Sequence, residues 1–201
     1  MTGTGTTDRM GYRRRPREAK VPSTVISSLA EIDTTDLSDV MAQAGTMVAG
    51  MRCLLPHLPR MAGNAVTLSV PAGASAVRRE AIAMTQPGDV LVMDARGATV
   101  FAVLGGNLAR DLAEHGVVGA VVDGCIRDAG EIEELGLPVF MVGQAAAAAP
   151  RAGSGEVNVP IACGGVVVRP GDVVVGDRSG VVVVPAEHAR EVADAARTIG
   201  R

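Results

Sequence analysis

The stretch GGNLARDLAEHGVVGAVVDGCIRDAGEIEELGLPVFMV, residues 105–142, decides the fold because helical and strand patterns alternate within it. Each helical pattern is followed by a glycine that can end a helix, and each strand pattern is rich in valine. In chain order the predicted helix, strand, helix and strand cover 107–115, 117–122, 128–135 and 138–142. Strands joined through helices in this way predict a parallel βαβ unit and an α/β fold class.

The sequence on either side of this unit adds further elements. Apolar spacing predicts two short helices within residues 26–41, with candidate caps at 34–39. Strands are predicted at 65–70 and 181–184, helices at 75–84 and 186–199, and a flexible loop at 145–155.

Two segments resemble each other: PGDVLVMD at residues 87–94 and PGDVVVGD at residues 170–177. Proline and glycine favour a turn, and the valines that follow favour a pleated strand. Each copy is therefore predicted to form one arm of a β-hairpin, with a structural and not a catalytic role.

Residues 1–22 are rich in Thr, Gly, Pro and Arg and have no apolar periodicity. This composition predicts a disordered basic tail, followed by a single α/β domain over residues 23–201. A basic tail can contact nucleic acid or an acidic partner, but a solvated extension is the favoured interpretation of this composition, and no function is assigned to the tail.

Composition excludes several classes of function. A net charge of -3 and only three aromatic residues argue against nucleic-acid binding, which needs basic surfaces and stacking rings. The three cysteines lack the spacing of a zinc site or a disulfide framework. With no apolar run of about 20 residues and no secretory pattern, we expect a cytoplasmic protein with no membrane partner.

Two loops at strand ends are the candidate site. Gly105, Gly106, Asn107 and Leu108 open a helix, where free backbone N–H groups can meet an anion. Residues 123–128 follow the Val-rich strand and end in Arg127 and Asp128. A small 2-oxo acid needs these groups: amides and a guanidinium for its carboxylate, and a hard cation held by Asp128.

Such a site favours carbon–carbon bond cleavage. A divalent metal that withdraws electrons from the keto oxygen promotes retro-aldol cleavage and decarboxylation alike, with Arg127 as a second electrophile. A structural alternative stays open, because Asp128 and Glu131 are spaced as a helix-capping pair. His57, His115, His188 and Cys125 are interpreted as structural or surface residues.

Five motifs occur together between about Thr35 and the C-terminus. They are Gly106, Val121-Val122-Asp123-Gly124, Arg127-Asp128-x-x-Glu131, Cys163-Gly164-Gly165 and Pro170-Gly171-Asp172. With these motifs the chain resembles the family that contains the 4-hydroxy-4-methyl-2-oxoglutarate aldolases and the regulator of ribonuclease activity A.

The resemblance implies a swivelling β/β/α domain with a central βαβ unit and hairpin-bearing mixed sheets. It also implies a homotrimer or dimer of trimers with sites between subunits, and Mg²⁺ or Mn²⁺ as the cofactor. By the same resemblance, the backbone of Gly105, Gly106, Asn107 and Leu108 contacts substrate, Arg127 binds the pyruvyl group and Asp128 holds the metal.

The function implied is that of a class II, metal-dependent pyruvate aldolase with oxaloacetate decarboxylase activity. Two departures predict weakened turnover: Asn107 stands where many active members carry an acidic residue, and the chain stops at Arg201 without the acidic extension of the aldolases. The alternative is a non-catalytic regulator that binds a ribonuclease or another RNA-processing protein. A menaquinone methyltransferase is disfavoured because no GxGxxG follows a strand.

Overall fold

The computed structural model describes residues 9–48, 50–55, 57, 60–71, 75–150 and 153–199. Its helices are α1 Ser23–Ala30, α2 Thr34–Val40, α3 Ser75–Met84, α4 Gly106–Glu114, α5 Ala129–Leu135 and α6 Ala189–Ile199. Its strands are β1 Arg52–Cys53, β2 Met61–Ser69, β3 Asp89–Leu104, β4 Gly119–Ile126, β5 Val139–Gln144, β6 Glu156–Val157, β7 Ile161–Cys163, β8 Val166–Val168, β9 Val173–Asp177 and β10 Gly180–Val184.

One mixed sheet runs through the molecule in the order β1-β5-β4-β3-β2-β9-β10, with β6 paired to β2. Its central strands β2, β3, β4 and β5 are parallel, and α3, α4 and α5 connect them in turn. The predicted α/β class and βαβ unit are confirmed. Gly116 and Gly136, which follow α4 and α5, have φ of 73° and 64°, as glycines that end helices commonly do.

Apolar side chains cover both faces of this sheet. On one face, residues of the parallel strands pack with α3, α4 and α5, around Leu91, Leu112 and Ile132. On the other face they pack with the small β7–β8 hairpin, around Met61 and Phe140. Helices α1, α2 and α6 pack on β9 and β10 in a third cluster. The parallel strands are therefore buried on both sides, which explains their nearly continuous valine content.

The two PGD segments have different structures. The second copy leads into β9, which forms an antiparallel hairpin with β10, so that prediction is confirmed. The hairpin prediction for the first copy is wrong, because β3 pairs in parallel with both β2 and β4. The same local pattern suits both outcomes, since a buried central strand and a hairpin arm have the same β-propensity.

The start of α2 is not capped by a side chain from residues 34–39, contrary to the prediction from the sequence. The carboxylate of Asp177, at the end of β9, binds there instead. The amide of Thr34 donates to Asp177 Oδ2 at 2.9 Å, and the Thr34 hydroxyl donates to Asp177 Oδ1 at 2.7 Å. Burial opposes ionisation of Asp177, but these donors outweigh it and lower the pKa of that carboxyl. The start of α2 is thus tied to the end of β9.

Residues 9–22 lie on the body of the protein, which differs from the expected disordered tail; residues 1–8 lie outside the described residues. Arg13 donates to both oxygens of Glu156, at 2.6 and 2.8 Å. Arg17 donates to both oxygens of Asp89, a fully buried carboxylate that also pairs with Lys20 at 2.9 Å. Apolar periodicity does not detect ion pairs between distant residues, so the composition alone suggested disorder.

Part of the expected flexible loop at 145–155 is also held in place. Ala102 donates to the carbonyl of Ala147 at 2.7 Å and accepts from the amide of Ala149 at 3.0 Å. These residues thereby line the end of β3.

No helix within the described residues is long and apolar enough to cross a lipid bilayer.

A row of polar side chains crosses the sheet where the regular pairing of β3 with β4 ends. Asp94 is in register with Ser69 on β2 and with Asp123 on β4. Burial raises the pKa of the Asp94 carboxyl, and the negative charge of Asp123 raises it further. Ionisation of the Asp94 carboxyl therefore opposes folding at neutral pH.

We expect the ion pairs of Asp89 to stabilise the fold. Arg17→Met should lower the free energy of unfolding by about 2 kcal/mol or more, because it leaves a buried carboxylate with a single cationic partner. Urea unfolding at pH 7 measures this. Lys20→Met, which removes the other partner and leaves the two-pronged contact of Arg17, should cost less; equal stability of Arg17→Met and the wild type would contradict the role.

Removal of the Asp94 charge is expected to increase the stability of the fold, by an amount that depends on pH. Because the pKa of Asp94 is raised in the folded state, its contribution to stability is lost as the pH rises above the unfolded value of about 4. Asp94→Asn should therefore raise the free energy of unfolding at pH 7, and the gain should shrink as the pH falls to about 4. Asp39→Asn, at an exposed position, is the control; a loss of stability in Asp94→Asn at pH 7 would refute the interpretation.

Candidate active site

The ends of β3 and β4 bring the two predicted loops together. Leu104 and Ile126 are partners in register at the carboxyl ends of these parallel strands. The next residue along, Arg127, donates its amide to the carbonyl of Leu104 at 2.9 Å. The loop that starts α4 and the loop that starts α5 therefore lie side by side, at the edge where α/β proteins commonly bind ligands.

Both glycines of the first loop are in contact with side chains of the second. A Cβ on Gly105 would lie 2.8 Å from Asp128 Oδ2 and 3.0 Å from Arg127 Cγ. A Cβ on Gly106 would lie 2.2 Å from Glu131 Oε2. The Gly-Gly pair and the Arg-Asp-x-x-Glu motif are thus two halves of one contact, because the second occupies the space that a side chain on the first would need.

Asp128 has a strained backbone and a bridging carboxylate. Its φ of 56° and ψ of 41° lie in the left-handed region, which non-glycine residues other than Asn and Asp seldom adopt. Its Oδ2 accepts a hydrogen bond from the Gly106 amide at 3.1 Å and lies 3.3 Å from Arg127 Nε. This carboxylate therefore meets both the amino end of α4 and the neighbouring guanidinium.

The capping alternative for Asp128 and Glu131 does not describe these contacts. Asp128 precedes α5, but its side chain forms no capping hydrogen bond to that helix and bonds to α4 instead. Glu131 lies 3.3 Å from Arg110 Nη2, and Arg110 donates to Asn107 Oδ1 at 3.3 Å. Asn107 is therefore held at the start of α4 through a short chain of polar contacts.

A cavity of about 630 Å³ opens over these loops. Gly105, Asn107, Leu108, Arg127 and Asp128 line it, while Gly106 lies beside it under Glu131. The structure thus brings all of the predicted site residues together. The cavity is also lined by residues that the sequence analysis did not single out: Arg78, Arg79, Ala102, Leu104, Asp111, Ala148 and Ala149.

Three of these missed residues had a signal in the sequence. Asp111 lies one helical turn after Asn107 and so shares its face of α4. Arg78 and Arg79 are adjacent cations on the predicted helix that precedes the βαβ unit, although the pattern alone does not say which surface they face. Ala148 and Ala149 carry no chemical signal, since only their main-chain contacts with Ala102 place them there.

The charges in the cavity are both positive and negative. Carboxylates come from Asp111 and Asp128, and guanidiniums from Arg78, Arg79 and Arg127. Arg127 and Asp128 are each partly exposed, with 41% and 37% of their side-chain surface accessible. The arrangement can bind a small anion and, through carboxylate oxygens, a hard cation.

The histidines and cysteines lie elsewhere. His115 ends α4 beside Thr85, His188 pairs with Glu191, and His57 is exposed. Burial raises the pKa of the Cys125 thiol, which keeps it protonated at neutral pH. None of these residues lines the cavity among the described residues, so a nucleophilic mechanism finds no support in this part of the chain.

The glycine contacts predict different effects of two neighbouring substitutions. Gly105→Ala should displace Asp128 and Arg127 and weaken ligand binding at least tenfold, because Asp128 is short and its backbone is constrained. Gly106→Ala meets mainly the end of an exposed, flexible glutamate, so it should change stability and binding much less. Calorimetric titration with pyruvate and thermal unfolding measure both effects; equal effects of the two substitutions would show that the contact does not constrain the site.

Comparisons with known proteins agree with this architecture. A family model described as RraA-like, Aldolase/RraA, matches residues 34–183. A protein of Halalkalibacterium halodurans, provisionally named a 4-hydroxy-4-methyl-2-oxoglutarate aldolase, is 36% identical over 172 residues, which is 86% of this chain and 81% of that protein. The 4-hydroxy-4-methyl-2-oxoglutarate aldolase of Thermus thermophilus is 34% identical over 155 residues, or 77% of this chain and 93% of that protein.

A solved structure of the same fold has a different description. RraAS2 of Streptomyces coelicolor, an unusual member of the RNase ES inhibitor RraA protein family, superimposes with a TM-score of 0.82 at 32% identity. The match covers 90% of this chain and 94% of that one. Because the family model spans most of the chain and relatives above 30% identity cover more than two thirds of it, the chain belongs to the RraA-like family of aldolases and ribonuclease regulators.

Proposed function

We propose that this protein is a divalent-metal-dependent lyase that cleaves 2-oxo acids of the 4-hydroxy-4-methyl-2-oxoglutarate type to pyruvate and also decarboxylates oxaloacetate. The observation that carries the proposal is the convergence of Arg127, Asp128 and the amino end of α4 on one cavity. The aldolase names of relatives that align over most of their length support the same activity.

The pyruvyl end of the substrate binds between the two loops. Its carboxylate accepts hydrogen bonds from the Arg127 guanidinium and from backbone amides of residues 105–108, where the α4 dipole is also favourable. Gly105 lets the substrate approach the backbone closely because it has no side chain. The keto group then lies next to the Asp128 carboxylate.

The residues present fit Mg²⁺ or Mn²⁺. The described residues contain no cluster of three metal-binding side chains, but Mg²⁺ is commonly held by one or two carboxylates together with water and substrate oxygens. Asp128, which lines the cavity, would supply one carboxylate, and the carboxylate and keto oxygens of the 2-oxo acid would supply further ligands. When bound, the metal provides a Lewis acid that draws electrons from the keto oxygen.

The chain's own groups assist the bond cleavage. Arg127 stabilises negative charge that develops on the pyruvyl oxygens as the carbon–carbon bond breaks and an enolate forms. Asn107 can orient a water molecule but cannot accept its proton, because an amide is not a base at neutral pH. Its place in the cavity predicts slow turnover, with proton transfer limiting the rate.

Pyruvate release from oxaloacetate and from 4-hydroxy-4-methyl-2-oxoglutarate tests the proposal. Asp128→Asn is the informative variant, since asparagine tolerates the left-handed backbone that alanine does not. We expect the wild type to need Mg²⁺ or Mn²⁺, and Asp128→Asn to lose at least a hundredfold in kcat/KM. Asp39→Asn, an exposed residue outside the cavity, is the matched control.

The outcomes separate the lyase from its rival. Equal background rates in the wild type, in Asp128→Asn and with a chelator would overturn the lyase proposal. They would favour a regulator that binds a ribonuclease or another RNA-processing protein, as the description of the Streptomyces coelicolor structure suggests. Binding by such a regulator should be indifferent to chelation.

We also propose a homotrimer or a dimer of trimers. The support is a groove of about 650 Å³ whose largely apolar lining includes Met41, Val166, Val192 and the exposed Val167. Exposed apolar surface of this kind is typical of subunit interfaces. Light scattering on the purified protein measures the mass; a monomer at micromolar concentration would contradict the proposal.

A further inference from the structure

A second guanidinium lines the cavity, and it comes from an element other than the two loops. Arg78 lies on α3 and lines the cavity together with Arg127. The two cations come from different elements, α3 and the end of β4, and only the tertiary fold brings them to the same cavity. The cavity therefore offers two guanidiniums to the anionic groups of a ligand.

The surroundings of Arg78 leave its charge unbalanced. Its Nη1 donates to the carbonyl of Val103, which is a neutral acceptor. No carboxylate of the described residues lies within ion-pair distance of Arg78, whereas Arg127 has Asp128 at 3.3 Å. Burial lowers the pKa of the Arg78 guanidinium, and the positive charge of Arg127 lowers it further.

Two cations held in one cavity are favourable when anions lie between them. The fold keeps Arg78 partly buried and close enough to Arg127 for the two to repel each other. A ligand with one carboxylate neutralises one of them, and a ligand with two carboxylates neutralises both. Arg79, the next residue along, also lines the cavity, but it is exposed and thus screened by water.

We propose that Arg78 binds the distal carboxylate of a dicarboxylic 2-oxo acid and so selects dicarboxylates over monocarboxylates such as pyruvate. This inference rests on the proposed function, because Arg127 and the α4 amides must hold the pyruvyl end. Arg78 is then a specificity residue, and the substrate class is a 2-oxo acid with a second carboxylate beyond the bond that breaks.

The proposal has different consequences for the two reactions. In retro-aldol cleavage the C4 hydroxyl gives its proton to a water molecule in the cavity and becomes a carbonyl as the C3–C4 bond breaks. The electron pair of that bond forms the pyruvate enolate, and water returns a proton to C3. The distal carboxylate stays ionised throughout, so Arg78 holds it in the transition state as well. Its contact should therefore support kcat/KM for this reaction.

In oxaloacetate decarboxylation the distal carboxylate itself leaves as neutral CO₂, and its bonding electrons again form the enolate. An ion pair to that carboxylate is stronger in the substrate than in the transition state. Arg78 should therefore lower KM for oxaloacetate without raising kcat. Arg78→Met should raise KM for oxaloacetate and leave kcat equal or higher, whereas kcat/KM for the aldol substrate should fall.

Binding of stable ligands tests Arg78 without turnover. Calorimetric titration in Mg²⁺ with pyruvate and with 2-oxoglutarate compares a monocarboxylate and a dicarboxylate with the same 2-oxo acid end. Arg78→Met should weaken 2-oxoglutarate binding roughly tenfold or more and change pyruvate binding less than about twofold. Arg78→Lys should recover part of the loss, and Arg178→Met, at an exposed position outside the cavity, should bind both ligands as the wild type does.

The results distinguish the two proposals. If the wild type binds pyruvate and Arg78→Met weakens both ligands equally or neither, the assignment of Arg78 is wrong and the proposed function is unaffected. If Arg79→Met gives the selective loss, the distal carboxylate lies at Arg79 and the assignment is again wrong. If the wild type binds neither ligand, both the proposed function and the role of Arg78 are overturned.

Discussion

The contact between the Gly105–Gly106 backbone and the side chains of Arg127, Asp128 and Glu131 is the constraint on which the rest of the site depends. A Cβ on Gly105 would lie 2.8 Å from Asp128 Oδ2, and a Cβ on Gly106 would meet the side chain of Glu131, so the start of α4 and the start of α5 are closely packed. The hydrogen bond from Gly106 to Asp128 joins the same two helices. Because both helices follow neighbouring parallel strands, the register of β3 and β4 sets this contact, and the contact positions the groups that face the cavity.

Asp128 combines a left-handed backbone conformation with a carboxylate that contacts Arg127. Its left-handed backbone turns the chain from β4 into α5 and directs the carboxylate towards α4, where the helix dipole and Arg127 favour a negative charge. Strained conformations of this kind persist where the surrounding structure enforces them, and they are frequent at functional sites. A carboxylate held by surrounding contacts, and still partly exposed, is suited to share a cation with a ligand.

Different elements of the fold form the buried framework and the lining of the cavity. The parallel strands and the antiparallel hairpin β9–β10 form the buried framework, while the cavity is built from strand ends, helix starts and the segment after β5. The N-terminal residues 9–22 add ion pairs to the framework, at Glu156 and at the buried Asp89. The residues that hold the framework together and those that line the cavity are therefore largely different, although Gly105 both packs against the second loop and lines the cavity.

The sequence by itself determined the α/β class, the βαβ unit and the loops around Gly105 and Arg127, because valine runs, helical spacing and glycine stops are local signals. Predictions from the sequence were wrong where the local structure depends on contacts with residues distant in the chain. The first PGD segment became a central parallel strand, residues 9–22 were fastened by salt bridges, and the cap of α2 came from Asp177. Only the tertiary structure decided that Arg78 and Asp111 share the cavity with Asp128, since side chains far apart in sequence converge through sheet register and helix packing, which no local pattern encodes.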